Sequence, residues 1–256
     1  MNKPEDKEPG TAIVSWKEKM NAVVAQSAAM EAPTGGFLSF KGGRMSYDDT
    51  PIPGDKMEVI MIDFLLENTW YLEDYNALKP AVPTCYALGR DEATLAPHEE
   101  CDDPQNTQCG ISGQEGCCQY AEWGSDRKGG RGKDCKNTRR IAMIAADVLK
   151  ADDPIAAIKK AGVVMCKIPV TSIKIFSKTI NQITKVLGVP QFAVVIELSV
   201  TPHPANQFQI NWKIMDQIQD QELLEALYNK YVGNEKVLFA PYPKMEEESA
   251  PKNKKY

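Results

Sequence analysis

The chain has 256 residues, of which 43% are hydrophobic and 25% are charged, and this balance supports a folded core and excludes a wholly disordered chain. Its net charge of −5 argues against binding nucleic acid through overall charge, although a local basic patch is compatible with that average. The sequence has no run of about 18 apolar residues that would span a membrane, and its polar start, MNKPEDKEPG, is unlike a signal peptide.

The first part of the chain predicts one helix and then strands. Residues 11–30 are rich in helix formers, and Trp16, Met20, Val23 and Met30 can share one face of a short amphipathic helix. The segment GFLSFKGGRMSY predicts two short strands around a glycine turn, and KMEVIMIDFLLEN predicts a strand buried on both faces. WYLEDY and TCYALG predict two more short strands.

The second half predicts strands separated by a helix. Regular structure resumes at RRIAMIAA, and VVMCKIPV, FAVVIELSV and FQINWKI predict strands. A helix is predicted between them, because apolar residues recur at three- and four-residue steps from Ile173 to Leu187, before Gly188 and Pro190 end it. DQELLEALYNKYV predicts a last helix, and KMEEESAPKNKKY predicts a flexible tail.

These elements predict a β-rich α+β protein in three parts: an N-terminal helical segment over residues 1–34, a domain over 35–238 and a flexible C-terminal tail over 239–256. The domain carries a long loop-rich insertion at about 85–137. About five to seven strands with flanking helices fit an OB-like Greek-key barrel, because that fold tolerates large excursions between its strands. An α+β sandwich fits nearly as well.

The insertion holds all but one of the seven cysteines. A polar segment of this length cannot bury a core of its own, but thiolates gathered on Zn²⁺ would fold it, because the free energy of metal binding becomes folding free energy. The odd number of cysteines and the lack of an export signal predict reduced thiols in an intracellular protein. Cys166 lies in an apolar strand and is expected in the core.

One structural zinc ion is expected, with the ligands Cys85, Cys109, Cys118 and Cys135. Cys117, Cys101 and His98 remain alternatives, because the spacing is less regular than a pair of C-x-x-C steps. Catalytic zinc would need an open coordination position and a nearby general base, and the chain has only two histidines.

Much of the chain resembles a family of tailed-phage proteins. The string PTCYALGRD, the cysteines after it and WGSDRKGGRGKDCKNTRRIAMI carry the resemblance, and GGFLSFKGG and KIPVTSIKIFSKTINQI are similar to the family as well. The resemblance covers roughly residues 35–215, and its most specific part is 118–140. The family pattern has a C-x-x-C step directly before Trp-Gly-Ser, where this chain has Glu115 at the first position and Cys109 further upstream.

The resemblance implies an OB-fold, single-stranded DNA-binding protein with a zinc-ribbon-like insertion. Such a protein would act in phage DNA replication and recombination, in the cytoplasm of the bacterial host.

The stretch from Trp123 to Arg140 is the main candidate for DNA contact. It is basic and rich in glycine, so its backbone could approach phosphates closely, although a solvated loop would look the same. Single strands also need flat aromatic rings for stacking, and Phe40 and Trp123 adjoin glycines and basic residues. The expected DNA-binding residues are Phe40, Lys41, Arg44, Trp123, Arg127, Lys128, Arg131, Lys133, Lys136, Arg139 and Arg140.

The sequence shows no catalytic constellation, and GGRGKDC lacks the pattern of a nucleotide-hydrolysing phosphate loop. We therefore expect a non-catalytic protein that binds single-stranded DNA without sequence preference. Its acidic run Glu246–Glu248 is expected to recruit replication or recombination proteins. Two alternatives are a phage structural or assembly protein, and a zinc-ribbon adaptor that binds a polymerase or nuclease without touching DNA.

Overall fold

The structure is a computed structural model that describes Met20 and residues 36–73, 82–101, 103–204 and 207–242. The chain divides into two units, Met1–Thr34 and Gly35–Tyr256. Apart from Met20, the predicted N-terminal helix lies outside the described residues, and so does the predicted tail from residue 243 onward.

The described part of the second unit contains a nine-stranded mixed sheet. In chain order its strands are β1 (Phe37–Ser39), β2 (Ser46–Tyr47), β3 (Thr50–Pro51), β4 (Lys56–Trp70), β5 (Cys85–Gly89), β6 (Lys136–Ala145), β7 (Val164–Ile168), β8 (Val194–His203) and β9 (Gln207–Gln217). They lie in the order β3-β2-β1-β7-β6-β4-β8-β9, and β5 pairs with β4 outside this path. β1 and β7 are parallel, and the other neighbours are antiparallel.

The long strand β4 organises the sheet. Its residues 59–62 are fully buried, which confirms the prediction of a strand covered on both faces. β6 pairs along one edge of β4, with a register shift between Met61 and Asp63. The other edge is shared, because β8 pairs with residues 56–60 and β5 pairs with residues 66–70.

The helices within the described residues are α1 (Pro154–Lys160), α2 (Ile173–Asn181, continued by a π-helical turn at Gln182–Leu187), α3 (Gln221–Gly233) and α4 (Glu235–Leu238). The two helices predicted for the second half of the chain are confirmed as α2 and α3. Gly188 ends the π-helical turn in a left-handed conformation with φ 69°, and Asp220 caps α3 through the N–H groups of Glu222 and Leu223. No helix of the described residues is long and apolar enough to cross a membrane.

Apolar clusters lie on both faces of the sheet. On one face, Phe176 of α2 packs edge-on against Phe64 of β4 and Trp212 of β9. On the other face, α1 and α3 cover a second cluster that includes Ile60 and Ile62 of β4. The fully buried Cys166 belongs to the first cluster, as predicted.

The sheet curls into a half-barrel. β1 and β9 are far apart in the strand order, yet the turn after β1 (Lys41–Gly43) contacts β8 and β9. Leu38 of β1 and Ile210 of β9 also belong to one core cluster. The protein is therefore a strand-rich α+β protein with a curled mixed sheet, which confirms the predicted fold class at this level.

The chain remains packed on the sheet after α4. Phe239 joins the apolar cluster of Leu65 and Leu238, and the Tyr242 hydroxyl donates to Glu67 of β4 at 2.8 Å. The packed body thus continues four residues beyond 238, where the sequence placed the start of the tail.

Candidate metal centre and nucleic-acid interface

The cysteine loop, residues 90–135, leaves the sheet after β5 and returns to it at β6. Backbone hydrogen bonds join its distant segments. The N–H of Cys118 donates to the carbonyl of Cys109 at 3.0 Å, and the N–H of Cys135 donates to the carbonyl of Tyr120 at 2.8 Å. These bonds bring cysteines from separate parts of the loop side by side.

The loop is attached to the sheet by apolar and aromatic contacts. A small cluster joins loop and strands through Leu66, Ala87, Leu95 and Cys109. Trp70, the last residue of β4, stacks on Tyr120 of the loop with ring centroids 4.3 Å apart.

Four thiols line one small pocket between the loop and the sheet, and they are those of the four predicted ligands, Cys85, Cys109, Cys118 and Cys135. Burial raises the pKa of Cys85 to about 11 and that of Cys109 to about 12. Burial also raises the pKa of Cys135, and repulsion by neighbouring thiols adds to all three shifts. Thiolates gathered here would repel one another unless a cation neutralised them.

The donor set matches zinc in its chemistry, since four cysteine thiolates form closed tetrahedral zinc sites. As the side chains are placed, no group of three or more His, Cys, Asp or Glu side chains among the described residues is spaced to hold a metal ion. The cysteines therefore match zinc in their chemistry and line one pocket, and zinc binding stays a prediction.

Two of the alternative ligands make other contacts. The thiol of Cys117 faces the backbone carbonyls of Cys109 and Cys118, both at 3.6 Å. The ring of His98 stacks on Tyr86, with centroids 5.1 Å apart. Neither side chain lines the pocket of the four thiols.

The basic loop, residues 123–136, is a closed turn at the end of the cysteine loop. The carbonyl of Gly132 accepts hydrogen bonds from the N–H groups of Gly124 at 2.9 Å and Asp126 at 3.3 Å. Gly124 has a φ of 87°, which favours glycine at this tight turn. The backbone thereby presents the intervening side chains at the surface.

One aromatic ring and several cations occupy that surface. The side chain of Trp123 is 70% exposed, and the Lys133 ammonium lies 5.2 Å from its ring centroid. Lys128, Arg131 and Lys136 are exposed nearby in the sequence. This part of the predicted DNA-binding set therefore has the accessibility that a ligand would need.

Arg127, in contrast, is bound within the protein. Its Nε lies 2.8 Å from a carboxylate oxygen of Asp134, its terminal nitrogens donate to the carbonyls of Tyr71 and Leu72, and its guanidinium lies over the ring of Trp70. Asp134 also accepts the indole N–H of Trp70 at 2.6 Å. These contacts tie the basic loop to the end of β4, while the side chain of Arg127 is still 42% exposed, so its contact with DNA stays a prediction.

Arg140 is the basic residue whose predicted DNA contact is corrected, because it is bound inside the protein. Its guanidinium pairs with the carboxylate of Glu67 at 2.8 Å and donates to the carbonyls of Leu238 and Ala240. Its side chain is only 12% exposed. Arg140 therefore fixes the segment that follows α4, and these contacts occupy its guanidinium.

Arg139 points to the opposite face of the sheet from Arg140, because successive strand residues alternate. It is half-buried, and its guanidinium donates to the carbonyl of Thr138 at 2.9 Å. Burial lowers the pKa of Arg139, with the charge of Glu92 opposing the shift. No carboxylate among the described residues lies within ion-pair distance of it, so Arg139 remains a candidate anion contact.

The other predicted contacts lie around the turn after β1. Phe40 is 7% exposed and belongs to the core, so it is not the stacking platform that the sequence predicted. Lys41 and Arg44 are exposed, and they form ion pairs with Asp49 at 3.9 Å and Asp55 at 2.9 Å.

Sequence reasoning missed the buried charge network around Glu67, which is 1% exposed. Its carboxylate lies 2.8 Å from Arg140 and 3.2 Å from Lys167, and it accepts from Tyr242 and Thr138. Burial alone would raise the pKa of Glu67, but Lys167 and Arg140 outweigh burial and lower it. The sequence signal that points to this network is a charged residue inside each of two otherwise apolar strands: Glu67 in FLLENTW and Lys167 in VMCKI.

No protein-family model matches the chain, and neither a curated protein nor a solved structure matches it.

Proposed function

We propose that the chain is a non-catalytic protein that binds single-stranded DNA without sequence preference, of the kind that acts in phage DNA replication and recombination. The curled sheet would be the scaffold of an OB-like Greek-key barrel. The cysteine loop would be a zinc-ribbon-like module with one structural zinc ion on Cys85, Cys109, Cys118 and Cys135. Replication or recombination proteins would bind the chain beyond residue 242.

The proposal is carried by one observation, the exposed indole of Trp123 among exposed cations. A base stacked on such a ring contributes roughly 1–3 kcal/mol regardless of its identity. Lys128 and Arg131 extend from the same closed turn and can reach phosphates along a strand. Stacking and phosphate contacts together give affinity without reading base edges, which is binding without sequence preference.

Zinc would hold this surface in shape and would take no part in chemistry. A closed four-cysteine site leaves no open coordination position. Cys118 lies shortly before Trp123, and Cys135 lies next to Lys136 at the end of the basic loop. Ligation of both cysteines by one ion would therefore fix both ends of the loop.

Fluorescence anisotropy with labelled oligo-dT tests the proposal at several salt concentrations. We expect the wild type to bind more weakly as salt rises. Trp123→Ala should weaken binding roughly 5- to 150-fold, which corresponds to about 1–3 kcal/mol of stacking. Tyr228→Ala is the matched control, because Tyr228 is an aromatic residue of α3 that is 52% exposed, and its loss should leave affinity unchanged.

A folded wild-type protein that does not bind oligo-dT at low salt would contradict this function. That result would favour the adaptor or the assembly protein, because both would use the cysteine loop without touching DNA. Equal losses of oligo-dT affinity in Trp123→Ala and Tyr228→Ala would contradict the assignment of the binding surface to the basic loop.

A further inference from the structure

The segment between Asp153 and Glu197 is basic throughout. It contains six lysines and no Asp or Glu. The whole chain has 35 acidic residues among 256, so about six would be expected in a segment of this length. In a protein with a net charge of −5, this segment therefore concentrates positive charge.

Three of these lysines form a row on the exposed side of α2 and its π-helical turn. Lys174, Lys178 and Lys185 follow one another at steps of four and seven residues, which places them on one side of a helix. All three are exposed, and the exposed amides of Asn181 and Gln182 lie between them in the sequence. Within the described residues, no carboxylate lies at ion-pair distance from any of the three. This lysine row therefore carries charge that no ion pair offsets.

Packing fixes α2 on the sheet. Phe176 is buried, and its ring packs edge-on against Trp212 of β9. The hydroxyl of Thr179 donates to the carbonyl of Trp212 at 3.2 Å, and the hydroxyl of Ser172 accepts from the N–H of Ile210 at 3.2 Å. The lysine row thus lies on a helix that is already held in place, so a ligand would not have to order its backbone.

The basic loop and α2 pack on the same face of β4. Phe176 of α2 packs on Phe64, with ring centroids 5.2 Å apart, and the guanidinium of Arg127 lies over the ring of Trp70. Strand residues separated by an even number of positions point to the same face, and the six positions from Phe64 to Trp70 span about 20 Å. At about 3.4 Å per nucleotide, roughly six nucleotides of a single strand would cover this distance.

We propose that the lysine row of α2 is a second phosphate contact for the single strand that binds the basic loop. A nucleic-acid backbone fits the row by charge complementarity, because it is a continuous anion. Lysine, asparagine and glutamine side chains are also regular contacts of phosphate oxygens. The inference rests on the proposed function, since it extends the same DNA-binding surface.

The test measures the affinity of the full chain for labelled oligo-dT of about 15 nucleotides, which is long enough for both contacts, at several salt concentrations. Lys174→Ala/Lys178→Ala should make the slope of log affinity against log salt shallower by about 1.4, because each lost phosphate contact on a single strand removes about 0.7. Adding Lys185→Ala should bring the change to about 2. Alanine favours the helix, and urea unfolding checks that each variant keeps its fold.

Lys159→Ala/Lys160→Ala is the matched control. Both lysines are exposed and belong to the same basic segment, but they lie on α1, whose Ile158 packs in the cluster on the other face of the sheet. The control removes the same charge as Lys174→Ala/Lys178→Ala, and its slope should equal that of the wild type. An equal change of slope in both variants would trace the effect to net charge and overturn the contact.

The variants separate this inference from the proposed function. An unchanged slope in Lys174→Ala/Lys178→Ala, together with a shallower slope in Lys128→Ala/Arg131→Ala, would overturn the second contact and leave the proposed function standing. A wild type that does not bind oligo-dT would overturn both. The same measurements on a duplex of equal length identify the source of the phosphates, because a lysine-row variant that weakens binding to the duplex alone would also overturn the proposal.

Discussion

At the scale of single residues, the guanidinium of Arg127 holds the basic loop against the end of β4. It spans Asp134 within the loop and the carbonyls of Tyr71 and Leu72. A planar fork with several donors suits this task better than a lysine ammonium does. Lys128 and Arg131 belong to the same turn and are exposed. Residues a few positions apart thus divide into one that positions the loop and others that present charge.

This division predicts different salt dependences. The double variant Lys128→Ala/Arg131→Ala should make the slope of log affinity against log salt shallower by about 1.4, since each lost phosphate contact on a single strand removes about 0.7. Arg127→Ala should weaken binding with little change in slope. Arg127→Lys should bind DNA no more tightly than Arg127→Ala, because lysine retains the charge but lacks the planar fork of donors. A shallower slope in Arg127→Ala together with full rescue by Arg127→Lys would instead show that Arg127 contacts a phosphate.

Residue roles were only partly predictable from the sequence. Phe40 and Trp123 have similar neighbours, with glycines and basic residues close by, yet Phe40 is 7% exposed and Trp123 is 70% exposed. The curl of the sheet encloses Phe40, and local sequence does not report that curl. The four pocket cysteines were predicted because thiols crowded into a polar segment carry a chemical signal that needs no knowledge of the fold.

At the scale of elements, β4 carries Glu67 into a buried position where two cations meet one carboxylate. Burial lowers the pKa of Lys167 and repulsion by Arg140 adds to the shift, while the charge of Glu67 opposes it. The charges of Lys167 and Arg140 lower the pKa of Glu67 against the effect of burial. A carboxyl whose pKa is lowered by folding stabilises the fold above its unfolded pKa, and this contribution is lost as pH falls through the folded value.

Glu67→Gln should therefore destabilise the protein at neutral pH by about 3–5 kcal/mol, because two buried cations lose their counterion. The difference from wild type should begin to shrink as pH falls below the ordinary glutamate pKa of about 4.5, because the unfolded carboxyl then binds a proton, and it should be smallest below the lowered pKa of folded Glu67. Urea unfolding at neutral and acid pH measures this difference in unfolding free energy. Glu58→Gln is the control on the same strand, because its pair with Lys150 is well exposed and should contribute about 1 kcal/mol or less. A difference in unfolding free energy between wild type and Glu67→Gln that stays constant with pH would contradict the stabilising role of the buried charge network.

Elements with strong local patterns were predictable, and weakly patterned ones were not. The apolar run of β4 and the three- and four-residue steps of α2 matched their structures. Helix α1 was not predicted, although Asp153 caps it and Pro154 opens it, because seven residues give too little periodicity. WYLEDY was predicted as a separate strand, yet Trp70 is the last residue of β4 and Tyr71 lies outside it.

At the scale of the whole molecule, the arrangement of strands depends on contacts far apart in sequence. β1 pairs in parallel with β7, which joins Phe37 to Met165, and no local pattern specifies such a partner. The two largest core clusters lie outside the cysteine loop, and neither includes a residue of 90–135. The sheet and its helices therefore have a core that does not depend on the proposed metal.

Removal of the metal should consequently loosen one part of the molecule and leave the rest folded. Protein purified without chelator should hold about one zinc per chain, and a content below about a third would contradict the site. After chelation, amide hydrogen exchange should accelerate across the cysteine loop and stay slow in β4, β6 and β7, because their clusters remain buried. Cys118→Ser and Cys135→Ser should each lose zinc and show the same exchange pattern, whereas Cys166→Ser should retain zinc because Cys166 is fully buried in the core. Uniform loss of protection through the sheet after chelation would show that the loop is integral to the core.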